Sequence, residues 1–257
     1  NNAHLGEFGS EENLVKAKGE ILESLTKDGV ALINIASPHK ETWHEMSGTQ
    51  SLTFFGKGSG IYPSEITESK SHINFNLNYS NASLNVNLSM IGLHQVDNAL
   101  AAAACAIALG IEPDVIKKGL ENTLPEKGRL DLIELENFKI LDDSYNANPE
   151  SMKAAIDCIG NFSGEKVLVL GSMGELGIDS KKLHQEIGDY VRQSKIDHLL
   201  TIGEDAKEYQ GQQFEDINSI FKSIQTNHQG STILIKGSRM MRLNELVDNL
   251  VNSENSS

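Results

Sequence analysis

From residue 138 onward, short unbroken apolar runs alternate with amphipathic segments. FKILDDS, KVLVLGS, HLLTIG and STILIKGS are separated by NPESMKAAIDCIG, DSKKLHQEIGDYVRQS and FEDINSIFKSIQTN, and RLNELVDNLVNS closes the series. A strand that is apolar at successive positions has no wet face, so both its faces must be covered. Strands of this kind, each followed by a helix, predict a parallel α/β sheet between helical layers. Ligands bind such sheets at the carboxyl ends of the strands, so the chemistry of this half is expected there.

The first half is mixed. A helix is predicted over 11–26 and an apolar strand, VALINIA, over 30–36. SLTFFG at 51–56, HINFNLNY at 72–79 and SLNVNLSMIG at 83–92 alternate apolar and polar residues, which predicts antiparallel sheet with one wet face. HQVDNALAAAACAIALG reads as a long helix ended by Gly110, and a second helix follows Pro113 to near Asn122. The turn-rich, charged stretch TLPEKGRL at 123–130 is the expected boundary between a domain over 1–124 and one over 125–257.

The chain of 257 residues carries a formal charge of −14, which argues against a general nucleic-acid or anionic-membrane surface and leaves room for local basic sites. No apolar run reaches membrane-spanning length and no signal peptide is visible, so a cytoplasmic protein is expected. Cys105 and Cys158 lie in apolar helical patterns and are expected to be buried free thiols. Neither C-x-x-C, H-E-x-x-H nor G-x-S-x-G is present. The phosphate loop G-x-x-x-x-G-K-[ST] is absent too, and FGKGSG at 55–60 lacks its spacing. The first residues, NNAHL, resemble the middle of a longer protein.

One residue of the first helix is out of pattern. Leu14, Ile21 and Leu25 share a face, and Lys18 falls on it. Either the lysine lays its stem along apolar neighbours with its ammonium in water, or it is held in a site, paired or chemically modified.

Several polar clusters fall at expected ligand ends. DDSYNANPESM at 142–152 follows FKIL; Asn148 and Pro149 suit a helix cap, which leaves Asp143, Tyr145 and Asn146 unexplained by capping. In KGSR at 236–239, Lys236 and Arg239 flank a Gly-Ser turn, an arrangement suited to a carboxylate or phosphate as well as to a solvated turn. GSMGELG at 171–177 has G-x-x-G-x-x-G spacing, so a tight strand-to-helix loop is a better reading than a dinucleotide fingerprint. His94 and Asn98 share a helix face, and a buried hydrogen-bonded pair is the plain structural expectation. His4 alone establishes no metal site.

AHLGEFGS, KAKGEI, GLHQVDNALAAAA, GRL, DDSYNANPESM, GSMGELG and KGSR stand in the order and spacing of the Mur ligases, and nearly the whole chain resembles that family. The resemblance implies the later part of a central ATPase domain followed by a Rossmann-like C-terminal α/β domain. DDSYNANPESM and KGSR are most similar to the branch that joins D-alanyl-D-alanine to UDP-N-acetylmuramoyl-tripeptide in peptidoglycan precursor synthesis. ATP and Mg2+ are the implied cofactors, and an acyl phosphate the implied intermediate. By the same resemblance Lys18 is the lysine carbamylated by carbon dioxide, and with His4 it serves the magnesium site. Asn98 contacts adenine with support from His94, Arg129 reaches the nucleotide phosphates, and Asp143 and Asn146 face the nucleotide. Lys236, Ser238 and Arg239 face the peptide substrates. Lys18, Arg129 and Asn146 are the expected catalytic set.

Departures from the family pattern occur at Gly6-Glu7, which stand in reversed arrangement, at Gln95 in place of an asparagine, and at Ser172 in place of an aspartate. The resemblance also implies a substrate domain and phosphate loop beyond this chain, so the chain alone is expected to be inactive, and a monomer. Another ligase of the same superfamily, acting on a different amino acid or on folate, and a non-catalytic nucleotide-binding module are the alternative expectations.

Overall fold

The computed structural model describes residues 8–48 and 51–255, in two compact units that divide between Leu124 and Pro125. The first unit, from Ser10, contains α1 (Glu11–Glu23), β1 (Val30–Asn34), α2 (Lys40–Met46), β2 (Ser51–Phe55), β3 (Ile61–Glu68), β4 (Ile73–Tyr79), β5 (Ala82–Leu88), α3 (His94–Ala108) and α4 (Pro113–Glu121). Its sheet runs β1-β2-β3-β4-β5. The alternation in β4 and β5 makes one face of the sheet apolar. Ile73, Phe75, Leu77, Val86 and Leu88 point into a core closed by Val96, Leu100, Ala103 and Ala104 of α3 and by Ile116 and Leu120 of α4. The antiparallel expectation holds for β4 with β5 but not for SLTFFG: β2 pairs parallel with both β1 and β3. Alternation reports a wet face and not the direction of the neighbours. Strand β3 was not evident in the sequence, because Pro63 and a bulge between Ser64 and Thr67 interrupt its pattern.

Gly110 ends α3 as its sequence predicts. At φ +71 it carries the left-handed turn, and the Ile111 N–H reaches back to the Ala106 carbonyl at 3.0 Å. Cys105, however, faces solvent on this helix, whereas Cys158 is buried. The alanines around Cys105 are apolar without marking which face packs.

The second unit contains β6 (Asp131–Glu134), β7 (Lys139–Asp143), α5 (Pro149–Gly160), β8 (Lys166–Gly171), α6 (Ser180–Gln193), β9 (His198–Ile202), β10 (Gln212–Phe214), α7 (Ile217–Asn227), β11 (Thr232–Lys236) and α8 (Asn244–Asn255). The sheet order is β10-β9-β8-β11-β7-β6. Strands β7 to β11 pair in parallel, and β6 is an antiparallel edge. The central strands β8 and β11 are buried almost throughout, which their unbroken apolar runs require. All the parallel strands point their carboxyl ends to one edge, and the residues after them form the candidate site.

Candidate functional site

Strand β7 delivers Asp142 and Asp143 to the ligand edge. The turn after it is fixed locally: Asp142 Oδ1 accepts from the Ser144 hydroxyl at 2.6 Å and the Ser144 N–H at 3.1 Å. Asn148 then caps α5 by accepting from the Ser151 N–H at 2.9 Å, the Ser151 hydroxyl closes a capping box, and Pro149 stands in the first turn. Between these two anchors Tyr145 and Asn146 are held outward and exposed.

Strand β11 runs beside β7 in register, with Lys236 opposite Asp143. Lys236 is 2% exposed, and its Nζ donates to Asp143 Oδ2 at 2.5 Å and to the Asn146 carbonyl at 2.9 Å. Burial pulls the Lys236 ammonium below its ordinary range; the Asp143 carboxylate opposes this, and the Arg129 guanidinium adds to it. Two more cations surround Tyr145: the Arg129 guanidinium lies 4.3 Å from the ring centroid and that of Arg239 5.3 Å. Arg129 reaches it because the Tyr145 N–H donates to the Gly128 carbonyl at 3.0 Å. Gly128 has φ +81, and a Cβ there would stand 3.2 Å from the Tyr145 nitrogen. A chain of net charge −14 thus concentrates Lys236, Arg129 and Arg239 at one strand edge, with Asp143 among them. That edge is equipped to receive an anion such as a phosphate or carboxylate.

The loops after β8 and β11 support this edge by close backbone approach. A Cβ on Gly237 would meet the Gly171 Cα at 3.0 Å and Leu243 at 2.8 Å, so KGSR needs its glycine at that place. The Ser238 N–H donates to the Ser172 carbonyl at 3.0 Å. GSMGELG is a tight loop, locked from below by His184 of α6. His184 Nε2 accepts from the Met173 N–H at 2.9 Å, and Nδ1 faces the Ser180 carbonyl at 2.7 Å. An amide can only donate and a carbonyl only accept, so these partners require the neutral imidazole with its proton on Nδ1. Burial lowers the His184 pKa in the same direction. His184 and Tyr145 gave no distinct role in the sequence. Tyr145 was one member of a polar cluster, and His184 lay inside an ordinary amphipathic helix.

Arg129, Asp143, Asn146, Lys236, Ser238 and Arg239 therefore converge in the second unit. Lys18, His94 and Asn98 lie in the first, and His4 falls outside the described residues. Two expectations there are corrected. The buried stripe of α1 is Leu14, Val15 and Gly19, while Lys18 is exposed and Ile21 is 70% exposed. Trp43 and Met46 of α2 set this rotation. Trp43 Nε1 donates to the Val15 carbonyl at 3.1 Å, and the Met46 side chain occupies the space a Cβ on Gly19 would take. The apolar-face lysine is thus a surface lysine in this fold. His94 and Asn98 are not a buried pair either: both are exposed, and Asn98 donates to Gln95 at 2.9 Å.

A mostly parallel sheet whose carboxyl edge gathers a buried lysine and two arginines defines an α/β protein with a cationic strand edge. Residues 1–106 match the Mur ligase middle domain and residues 128–239 the Mur ligase, glutamate ligase domain. The chain belongs to the Mur ligase family. It is 36% identical over 259 residues to the UDP-N-acetylmuramoyl-tripeptide--D-alanyl-D-alanine ligase of Escherichia coli, covering 95% of this chain and 57% of that one. The same ligase of Bacillus subtilis is 30% identical over 267 residues, covering 98% and 57%. A crystal structure of MurF from Acinetobacter baumannii superposes with a TM-score of 0.91 at 33% identity, over 98% of this chain and 58% of that one. The chain thus spans a little over half the length of the relatives it matches.

Proposed function

We propose that the protein carrying these two units is an ATP-dependent amide ligase that adds D-alanyl-D-alanine to UDP-N-acetylmuramoyl-tripeptide in peptidoglycan precursor synthesis. The curated relatives of Escherichia coli and Bacillus subtilis carry that activity in their names. The observation that carries the reading is the strand edge where Lys236 is buried against Asp143 and two arginines surround Tyr145. Amide synthesis from a carboxylate needs an activated acyl group, and ATP supplies the phosphoryl group for it. The chain's own part is to hold negative charge still. Arg129 and Arg239 offer planar guanidinium donors for phosphate or carboxylate oxygens. Lys236 holds the Asp143–Asn146 turn in place. Fixed cations act on charge developing during acyl and phosphoryl transfer without reorganising.

The Arg129 guanidinium fits a nucleotide phosphate, and we assign Asp143 and Asn146 to the nucleotide side of the site and Lys236, Ser238 and Arg239 to the peptide side, with Lys236 acting through the turn it holds. His94 and Asn98 are exposed at the start of α3, which suits an adenine contact. A magnesium ion needs anionic oxygen ligands. Lys18 meets that need only as a carbamate, and its exposure leaves the amine open to carbon dioxide. His4 is assigned to the same ion.

The reading is tested by phosphate release from the intact protein with ATP, Mg2+, UDP-N-acetylmuramoyl-tripeptide and D-alanyl-D-alanine, omitting each in turn. Release that needs all four is expected. Release indifferent to the dipeptide overturns the assigned substrate, and no release from folded protein overturns the ligase.

A further inference from the structure

The opposite edge of the second sheet carries a separate constellation. Glu165 immediately precedes β8, His198 opens β9, and His228 ends α7 just before β11. These three strands are neighbours, so their amino ends bring the residues together from three distant parts of the chain. His228 Nδ1 lies 2.9 Å from Glu165 Oε1, and His198 Nε2 lies 3.3 Å from the same oxygen. One donor atom from each residue lies within 4.8 Å of the other two. The imidazole centroids are 4.7 Å apart at 56°, so the rings are tilted rather than stacked. Strands of five residues separate this edge from the anion-binding edge by roughly 15 Å.

We propose that Glu165, His198 and His228 form a binding site for a transition-metal dication of the zinc type. Two imidazoles and one carboxylate are a borderline donor set, which suits Zn2+, Co2+ or Ni2+ and not Mg2+. Ligand atoms around a tetrahedral ion with bonds of about 2.0–2.1 Å sit about 3.3 Å apart. Two of the pairs are near that separation already. The third closes by rotation of His198, whose side chain is 49% exposed and unconstrained by core packing.

His228 is 6% exposed, and its backbone is held by the Ser231 hydroxyl, which donates to the His228 carbonyl at 2.6 Å. The neighbouring cation does not compete for Glu165. Lys166 Nζ donates to the Gly164 carbonyl at 2.9 Å, and Asp197 lies on its other side at 4.0 Å. The open side at His198 and Glu165 leaves a path for the ion and room for a water ligand. A bound ion would clip the entries of β8, β9 and β11 together, and so stabilise the unit without touching the ligand edge.

The competing account is a plain hydrogen-bonded cluster in which Glu165 joins the two histidines. Titration of the full chain with Zn2+, and with Co2+ for its visible d–d absorption, separates the two, in excess Mg2+ to occupy oxygen-rich sites. The expected result is one equivalent bound at micromolar affinity or tighter, an imidazole-type Co2+ spectrum, and a melting temperature raised by on the order of 5 °C at 100-fold excess over Kd. His198→Ala and Glu165→Gln should each weaken binding by at least tenfold while the apo melting temperature stays within about 2 °C, because both side chains are partly exposed. His72→Ala, a change in the other unit, should bind like the parent. No binding of either ion, or binding unchanged by His198→Ala and Glu165→Gln, overturns the site.

Discussion

Replacing Lys236 by methionine keeps the unbranched stem and removes the ammonium. Lys236 is 2% exposed and Asp143, its partner at 2.5 Å, has a side chain 13% exposed, so the substitution takes the facing ammonium from a nearly enclosed carboxylate. It also leaves the Asn146 carbonyl without the donor it has at 2.9 Å. Removing one member of a fully buried pair costs about 3–5 kcal/mol. The residual exposure of Asp143 admits some solvation and places the expected loss at the lower end, near ~3 kcal/mol. For a unit of this size that corresponds to a melting temperature lower by about 9 °C in differential scanning calorimetry. Adding Asp143→Asn removes the enclosed charge and should return roughly half of the loss, since the two positions form one interaction. The reasoning is refuted if Lys236→Met melts within about 2 °C of the parent, or if the double variant is no more stable than the single one.

The His184 imidazole is held neutral, with its pKa lowered from 6.5 by burial. The unfolded chain therefore binds the proton more readily, and the His184 contribution to stability is full above pH 6.5 and lost as pH falls toward the folded pKa. The unfolding free energy from urea titrations across that range should fall with acidification by up to about 1.4 kcal/mol per pH unit, and His184→Gln should flatten this component. Gly188→Ala places a Cβ 2.6 Å from the Tyr209 carbonyl oxygen and 2.8 Å from its Cα, both backbone atoms, and should cost about 1–3 kcal/mol by denaturant titration. On the proposed function, Arg129→Lys in the intact protein keeps the charge but loses the planar contact with Tyr145 at 4.3 Å, so ADP affinity by calorimetry should fall about two- to fivefold with little change in melting temperature.

The periodicity of residues 138–251 was enough to predict a parallel sheet between helices, because a strand with no polar position admits no other environment. Capping at Asn148 and the stop at Gly110 were equally legible, since each rests on chemistry within a few residues. Placing DDSYNANPESM and KGSR at one edge followed from strand direction alone. The parallel pairing of β2 did not, because neighbours far apart in sequence choose it. Nor did the role of Tyr145 between two arginines, or the neutral state of His184, which depends on an amide and a carbonyl meeting its two nitrogens.

The first helix marks the limit most clearly. Leu14, Ile21 and Leu25 form as good an apolar face in the sequence as the one the fold uses. Trp43 and Met46 pack on Val15 and Gly19 instead, turning the buried face by roughly a quarter of a turn and leaving Lys18 at the surface. By itself the sequence determined the parallel strands β7, β8, β9 and β11 with the helices that follow them, the cap of α5 and the stop of α3, and which strand ends carry polar chemistry, because these depend on neighbours within a turn or a strand. Only the tertiary structure decided which face of α1 is covered, that Lys236 lies buried against Asp143, and that Glu165, His198 and His228 meet, because each requires side chains brought together across the chain.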